Sequence, residues 1–415
     1  MKKIIVANYR YFVTGGPEVY MFKFMENSSS YGYESIPFSV KYSQNEKTAY
    51  SKYFIDNRGS DNVYFSGIKK TPKGIYRTLE GAFFNHQAYK KISKLINDEQ
   101  PSVLYALQVI NTISPSVFKA AKKKGLKVVH RISDFNLICP RSDLLRDENV
   151  CELCVKGKLK NGICHRCYHG SKMASTIRVK SMEFHRRKKL YDYVDYFVTP
   201  TDFTRNKLIE GGFDERKVVK IPTFIDASKI EPNYTDYEYL LFLGRLVPEK
   251  GAKYLIEAMK YLNANLNTKA VFTGKFDDLD DYSKAFIRDN NLQERVEFVG
   301  FQRGDSLVRL IQHSMAVICP AIWYENMPNT ILEAFAYGKP VVASNIGCFS
   351  ELIRDGYNGI LFESKNSKEL AEKIENMIVS KSYVSMGQNG RKTVETEFTP
   401  EQHFKKLQEL FDRED

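Results

Sequence analysis

The chain has 415 residues, 43% of them apolar and 13% aromatic, which suits a folded globular protein and leaves no compositional basis for disorder. That length is too great for one ordinary core, so two domains are expected. The formal net charge of +12 calls for an anionic partner, and no apolar run approaches the roughly 18 residues of a membrane-spanning helix.

The chain begins Met-Lys-Lys-Ile-Ile-Val-Ala-Asn-Tyr-Arg, whose apolar stretch is too short for a signal peptide. It reads as a first buried strand, Lys3–Ala7, in a chain expected to stay in the cytosol. Gly15 and Gly16 lie between that strand and a helix opening at Pro17, where backbone without side chains can approach a phosphate or a sugar. Taken alone, such a turn is only a turn. Residues 40–75 are polar, tyrosine-rich and weakly periodic, and read as long loops.

Further strands follow at Val103–Ala106, Lys127–Val129, Tyr196–Val198 and Val218–Ile221. After Ile221-Pro222-Thr223-Phe224-Ile225-Asp226 the pattern restarts with Leu240–Leu243, Lys269–Thr273, Val296–Val299, Ala316–Cys319 and Val341–Ser344. Strands alternating with helical periods predict an α/β protein of two doubly wound parallel sheets. The expected division is 1–222, carrying a cysteine-rich insert at 139–170, then 227–396, then a terminal helix in 397–415.

Two stretches are strongly basic: Lys119 to Lys127 with five lysines, and Lys172 to Lys189 with seven Lys or Arg interleaved with apolar residues. The second suits docking on an anionic membrane surface, and equally the solvated face of a helix in a basic protein.

The most informative segment is Glu325-Asn326-Met327-Pro328-Asn329-Thr330-Ile331-Leu332-Glu333, two carboxylates around a helix start. Pro328 suits the first helical turn, and Asn329 and Thr330 sit beside its free N–H groups, which welcome an anion. Glu333 shares the face of Asn329, about 5–6 Å further along. A diphosphate held between two hydroxyl-bearing groups fits this layout. Arg245 and Lys250 flank the turn after the strand Leu240–Leu243, and cations at a helix start are poorly placed unless an anion intervenes.

The segment running on through Ala334-Phe335-Ala336-Tyr337-Gly338-Lys339-Pro340-Val341-Val342 resembles the Glu-x7-Glu signature of retaining GT-B glycosyltransferases of the group 1, family four type. Gly244-Arg245-Leu246-Val247-Pro248-Glu249-Lys250-Gly251 is similar to that family's donor-phosphate clamp, and Gly15-Gly16-Pro17-Glu18 to its glycine loop. Three spaced motifs in the right order carry the resemblance from about residue 3 to the C-terminus. It implies a GT-B fold with a cleft between two Rossmann-like domains and a C-terminal helix crossing back to the first. It also implies sugar transfer from a nucleotide-sugar to a saccharide or polyprenyl-linked saccharide, in bacterial surface polysaccharide synthesis.

By the same resemblance Glu333 accepts from the ribose hydroxyls, Glu325 sits near the transferred sugar, and Phe301 lies in the loop that holds the base. Gly274 adds to the phosphate wall. His130, at the end of the strand Lys127–Val129, stands where the family often has a His-Asp pair, here with the acid displaced to Asp134; it reads otherwise as a structural histidine. Transfer with retention needs no protein nucleophile, and no catalytic divalent ion where Arg245 and Lys250 face the diphosphate. Asp278-Leu279-Asp280 imitates a metal motif but reads as capping and solubility.

Five cysteines fall close together: Cys139, Cys151-x2-Cys154 and Cys164-x2-Cys167. Paired Cys-x2-Cys turns in a cytosolic chain have the spacing of a structural zinc site, with one thiol spare. Spacing favours Cys151, Cys154, Cys164 and Cys167; resemblance to a subset of the family makes Cys164 the spare, and His165 and His169 could compete. Disulfides would need an oxidising compartment. Two other functions stay open: nucleotide-sugar epimerisation on the same fold, and nucleic-acid binding through the zinc loop and the +12 charge. The second leaves the Glu-x7-Glu and Arg/Lys arrangements without a purpose, so no nucleic-acid partner is expected.

Overall fold

The structure is a computed structural model that describes residues 1–57, 79–110 and 112–413. Part of the loop region read at 40–75, from 58 onward, and the last two residues of the terminal segment lie outside the described residues. Two compact units form. One comprises Met1–Asp143, Glu152–Ile221 and Phe404–Asp415, the other Leu144–Cys151 and Pro222–His403.

The first unit holds six parallel strands: β1 (Lys2–Ala7), β2 (Tyr33–Phe38), β3 (Val103–Ala106), β4 (Lys127–Arg131), β7 (Tyr196–Thr199) and β8 (Val218–Lys220). Their spatial order is β2-β1-β3-β4-β7-β8, so the winding reverses between β1 and β3. β2 escaped the sequence reading because Glu34 and Pro37 interrupt its apolar pattern. Proline is tolerated there because β2 is an edge strand. Between β4 and β7 lies a two-stranded hairpin, β5 (Leu145–Arg146) and β6 (Asn149–Val150), whose residues pack with the second unit. Its turn places Asp147 and Glu148 at φ of 50° and 56°, and it docks through Lys253 and Lys365, the latter 2.8 Å from Asn149 Oδ1.

The second unit repeats the plan with β9 (Tyr239–Phe242), β10 (Lys269–Phe272), β11 (Val296–Phe298), β12 (Ser314–Cys319), β13 (Val341–Ser344) and β14 (Gly359–Phe362). The order is β11-β10-β9-β12-β13-β14, all parallel, and the winding reverses between β9 and β12. β14, a short edge strand opening on glycine, was also missed. Leu240, Phe242, Phe272, Ile318 and Val342 are nearly inaccessible in the core, covered by residues such as Leu255 and Met259 of the helix Ala252–Tyr261. Arg391 ties the segment after Pro222 to this unit, donating to the carbonyls of Ile230, Ala336 and Ala227.

The terminal helix, Pro400–Phe411, returns its last turns to the first unit. Phe404 stacks on Tyr31 with centroids 4.2 Å apart, and Phe411 meets Tyr33 and Tyr105 edge-on at 5.6 Å. Aromatic pairs of this kind add to their area burial.

Candidate active site in the second unit

In open parallel sheets ligands bind beyond the carboxyl ends of the strands, where the winding reverses. In the second unit that point lies between β9 and β12. The loop leaving β9 carries Gly244, Arg245 and Lys250; the loop leaving β12 carries Trp323, Glu325 and the turn into the helix Asn329–Ala336. Gly274 and Phe301 follow β10 and β11 along the same edge.

Packing holds the β9 and β12 loops together. Gly251 has φ of 73°, and a Cβ there would lie 1.9 Å from the Pro320 carbonyl oxygen, so only glycine lets the two backbones approach. The Ile322 N–H donates to the Glu249 carbonyl across the same seam, at 3.0 Å. At Gly274 a Cβ would press 2.4 Å from Leu246, and Thr273 Oγ1 accepts from the Gly244 N–H at 3.1 Å.

The two charged motifs meet directly. Lys250 Nζ lies 2.6 Å from Glu325 Oε1, with the two side chains 27% and 12% exposed. The Trp323 indole N–H donates to the same oxygen at 2.8 Å, and the ammonium lies 5.5 Å from the indole centroid. Trp323 is the chain's one tryptophan, and sequence reasoning passed over it although it stands two residues before Glu325. Beneath them, burial pushes the Cys319 thiol up to about 12 while Lys250 and a hydrogen bond with Thr330 pull the other way. Cys319 is therefore a neutral thiol under the helix start.

Asn326, Met327, Pro328, Asn329, Thr330 and Glu333 are all half-buried. Pro328 is the residue just before the helix and not its first turn, and its carbonyl accepts from Ile331 at 3.2 Å. Met327 Sδ accepts from the Thr223 N–H at 3.3 Å. Arg245 is 74% exposed, 4.0 Å from Glu249, and Phe301 is 79% exposed. Asp280 caps the helix Asp281–Asp289 by accepting from the Ser283 N–H. A separate cavity of about 620 Å³ opens beyond β13 and β14, lined by Asn345, Asp355, Glu363 and Lys373 among others, and includes none of the motif residues.

In the first unit Gly15 and Gly16 are exposed where the helix Gly16–Ser28 begins. Beside them Glu18, only 1% exposed, accepts from Thr14 at 3.0 Å and lies 3.6 Å from Arg10. His130 is 2% exposed, its Nδ1 3.0 Å from the Ala106 carbonyl and its ring against Phe118 and Phe197. Burial lowers its pKa to about 4, so it is a neutral histidine inside the sheet layer. Asp134 is bonded to Asn136 at 2.5 Å and 2.8 Å.

The zinc expectation finds no support in the structure. The seven cysteines form no disulfide, and among the described residues no three His, Cys, Asp or Glu lie close enough to hold a metal ion. Cys139 and Cys154 are buried, Cys151 and Cys167 half-buried, and Cys164 exposed. Cys154 packs with Leu159, Val179 and Met182, which is the behaviour of a small apolar side chain. The basic helix Lys172–Arg187 also differs from expectation. Arg178 and Arg186 turn inward and donate to the carbonyls of Asn136 and Leu137, at 2.9 Å and 3.0 Å.

The chain is similar to known glycosyltransferases. An uncharacterized glycosyltransferase of Methanocaldococcus jannaschii is 37% identical over 33% of this chain and 34% of its own length. The UDP-Gal:alpha-D-GlcNAc-diphosphoundecaprenol alpha-1,3-galactosyltransferase of Escherichia coli is 26% identical over 48% of this chain and 54% of its own. The chain thus spans a third to about half of each of these relatives. The crystal structure of Anabaena HepE in complex with UDP-glucose superposes with a TM-score of 0.66 at 16% identity, covering 99% of this chain and 100% of that one. The fold is GT-B. Residues 224–393, which lie in the second unit, match the family described as glycosyl transferases group 1.

Proposed function

We propose that the chain is a retaining glycosyltransferase that moves a sugar from a nucleotide-sugar to a saccharide or polyprenyl-linked saccharide in surface polysaccharide synthesis. The observation that carries this reading is the Lys250–Glu325–Trp323 cluster at the reversal point of the second sheet, beside the helix that starts at Asn329. The helix start and Lys250 suit a diphosphate, and Arg245 is exposed and long enough to fold over it. As the sugar–phosphate bond breaks, negative charge grows on the departing phosphate, and fixed cations favour that state over the ground state. Glu325, already bonded to Lys250 and Trp323, would orient the sugar; Glu333, one helical turn after Asn329, would take the ribose hydroxyls, with Phe301 against the base.

In this mechanism the acceptor hydroxyl attacks from the face the phosphate leaves, and the departing phosphate oxygen takes its proton. The protein supplies placement and electrostatics. A lipid-diphosphate sugar acceptor is suggested by the name of the Escherichia coli relative, and UDP-glucose by the ligand of HepE. The test is thermal stabilisation by a panel of nucleotide-sugars, followed by transfer to sugar acceptors with the best of them. A donor that raises the melting temperature and is consumed only when acceptor is present supports transfer. Isomerisation of the donor without acceptor would establish an epimerase instead.

A further inference from the structure

The insert that follows the hairpin builds a small lobe of its own. Cys154, Leu159, Val179 and Met182 form its core, with Ile163 against them, and the short helix Lys160–Cys164 packs on the helix Lys172–Arg187. Backbone bonds close it: Cys167 donates to the Gly162 carbonyl at 2.9 Å, and Tyr168 to Ser175 Oγ at 2.9 Å. Asn161 Nδ2 reaches the Leu153 carbonyl at 2.9 Å.

Its charge is one-sided. From Leu153 to Met182 there are seven Lys or Arg and no Asp or Glu. The inward Arg178 is spent on Asn136, and Lys180 pairs with Glu183 at 2.8 Å. Lys156, Lys158, Lys160, Arg166 and Lys172 remain exposed on the lobe. Two large apolar side chains of the lobe are exposed as well, Met173 at 74% and Leu153 at 46%.

We propose that this lobe docks the protein on an anionic lipid surface, with the five cations against headgroup phosphates and Leu153 and Met173 entering the headgroup boundary. A basic segment gains attachment from each cation near a charged leaflet, and exposed apolar tips among cations add insertion that a nucleic-acid backbone would not reward. The lobe is thus a different surface from the full basic helix, whose Arg178 and Arg186 are structural. The proposal does not rest on the donor site.

The experiment is flotation of the full chain with vesicles of phosphatidylcholine alone and of phosphatidylcholine with one-quarter phosphatidylglycerol, at low and at physiological salt. Binding is expected only with the anionic vesicles and to weaken with salt. Lys156→Glu, Lys158→Glu and Lys160→Glu together should weaken it at least a hundredfold, at about fivefold for each charge removed and more for reversal. Leu153→Ser with Met173→Ser should weaken it while leaving salt dependence intact. Reversal of the exposed Lys260 and Lys269 in the second unit should change little. An unchanged melting temperature shows that each variant folds. Equal binding to neutral vesicles, equal loss in the Lys260/Lys269 control, or tighter binding to an oligonucleotide than to anionic vesicles would overturn the proposal.

Discussion

Replacing Lys250 by alanine separates the two roles assigned to that side chain. In the folded protein it neutralises Glu325 at 2.6 Å, in a pair 27% and 12% exposed. Losing one member of a partly buried pair costs more than the roughly 1 kcal/mol of a surface bridge and less than the ~3–5 kcal/mol of a fully buried one. The Trp323 N–H still holds the same Glu325 oxygen, so the loss belongs near about 1–2 kcal/mol. For a unit of this size that is a drop of about 3–6 °C in melting temperature. Catalysis should suffer more, because removing one fixed donor of charge stabilisation costs about 10²–10³ in turnover. The assay is kcat and KM with the stabilising donor, alongside thermal melts of Lys250→Ala, Glu325→Gln and the double variant. Because the residues touch, the two stability losses should not add, and the double variant should melt above the sum of the singles. Additive melting losses would refute the pairing, and turnover within tenfold of the parent in Lys250→Ala would refute the phosphate role.

Gly251→Ala should cost more than about 2 kcal/mol, because φ of 73° and a Cβ 1.9 Å from the Pro320 oxygen force the β9 and β12 loops apart; a melt within 1 °C of the parent would contradict that packing. Phe404→Ala should lose about 3–5 kcal/mol by removing the ring stacked on Tyr31 and Phe24, which chemical denaturation can measure. His130 and His185 are both lowered to about 4 by burial, so the unfolded chain binds more protons between about pH 6.5 and 4. Stability should therefore be complete above about pH 6.5 and fall through that window, by roughly 1–2 kcal/mol for each at pH 5. His130→Phe should flatten that part of the profile, and an unaltered acid slope would speak against the buried neutral histidine.

The alternation of strands and helices was legible in the sequence because a parallel strand buried on both faces leaves an uninterrupted apolar run. Val103–Ala106 and Val341–Ser344 appear at the same bounds in the structure, and other strands within one or two residues. The edge strands β2 and β14 were not legible, since one side of an edge strand tolerates Pro37 or Gly359 without losing a ladder bond. The positions of Arg245 and Lys250 ahead of a helix start likewise led to the proposal of an anion site, because cations there are poorly placed unless an anion intervenes.

What only the tertiary structure decided is which groups meet. Lys250 and Glu325 are 75 positions apart, and no local pattern says that Lys250 and the Trp323 indole both donate to one Glu325 oxygen. Nor does it say that Cys154 turns into an apolar core while Cys164 faces solvent, although both belong to the same Cys-x2-Cys spacing. His130 looked available by its place at a strand end, and the rings of Phe118 and Phe197 enclose it. Local chemistry is written in neighbouring residues, and so the sequence alone determined the elements. Burial and partnership depend on side chains brought together from distant positions, and those were settled only when the sheets closed over their helices.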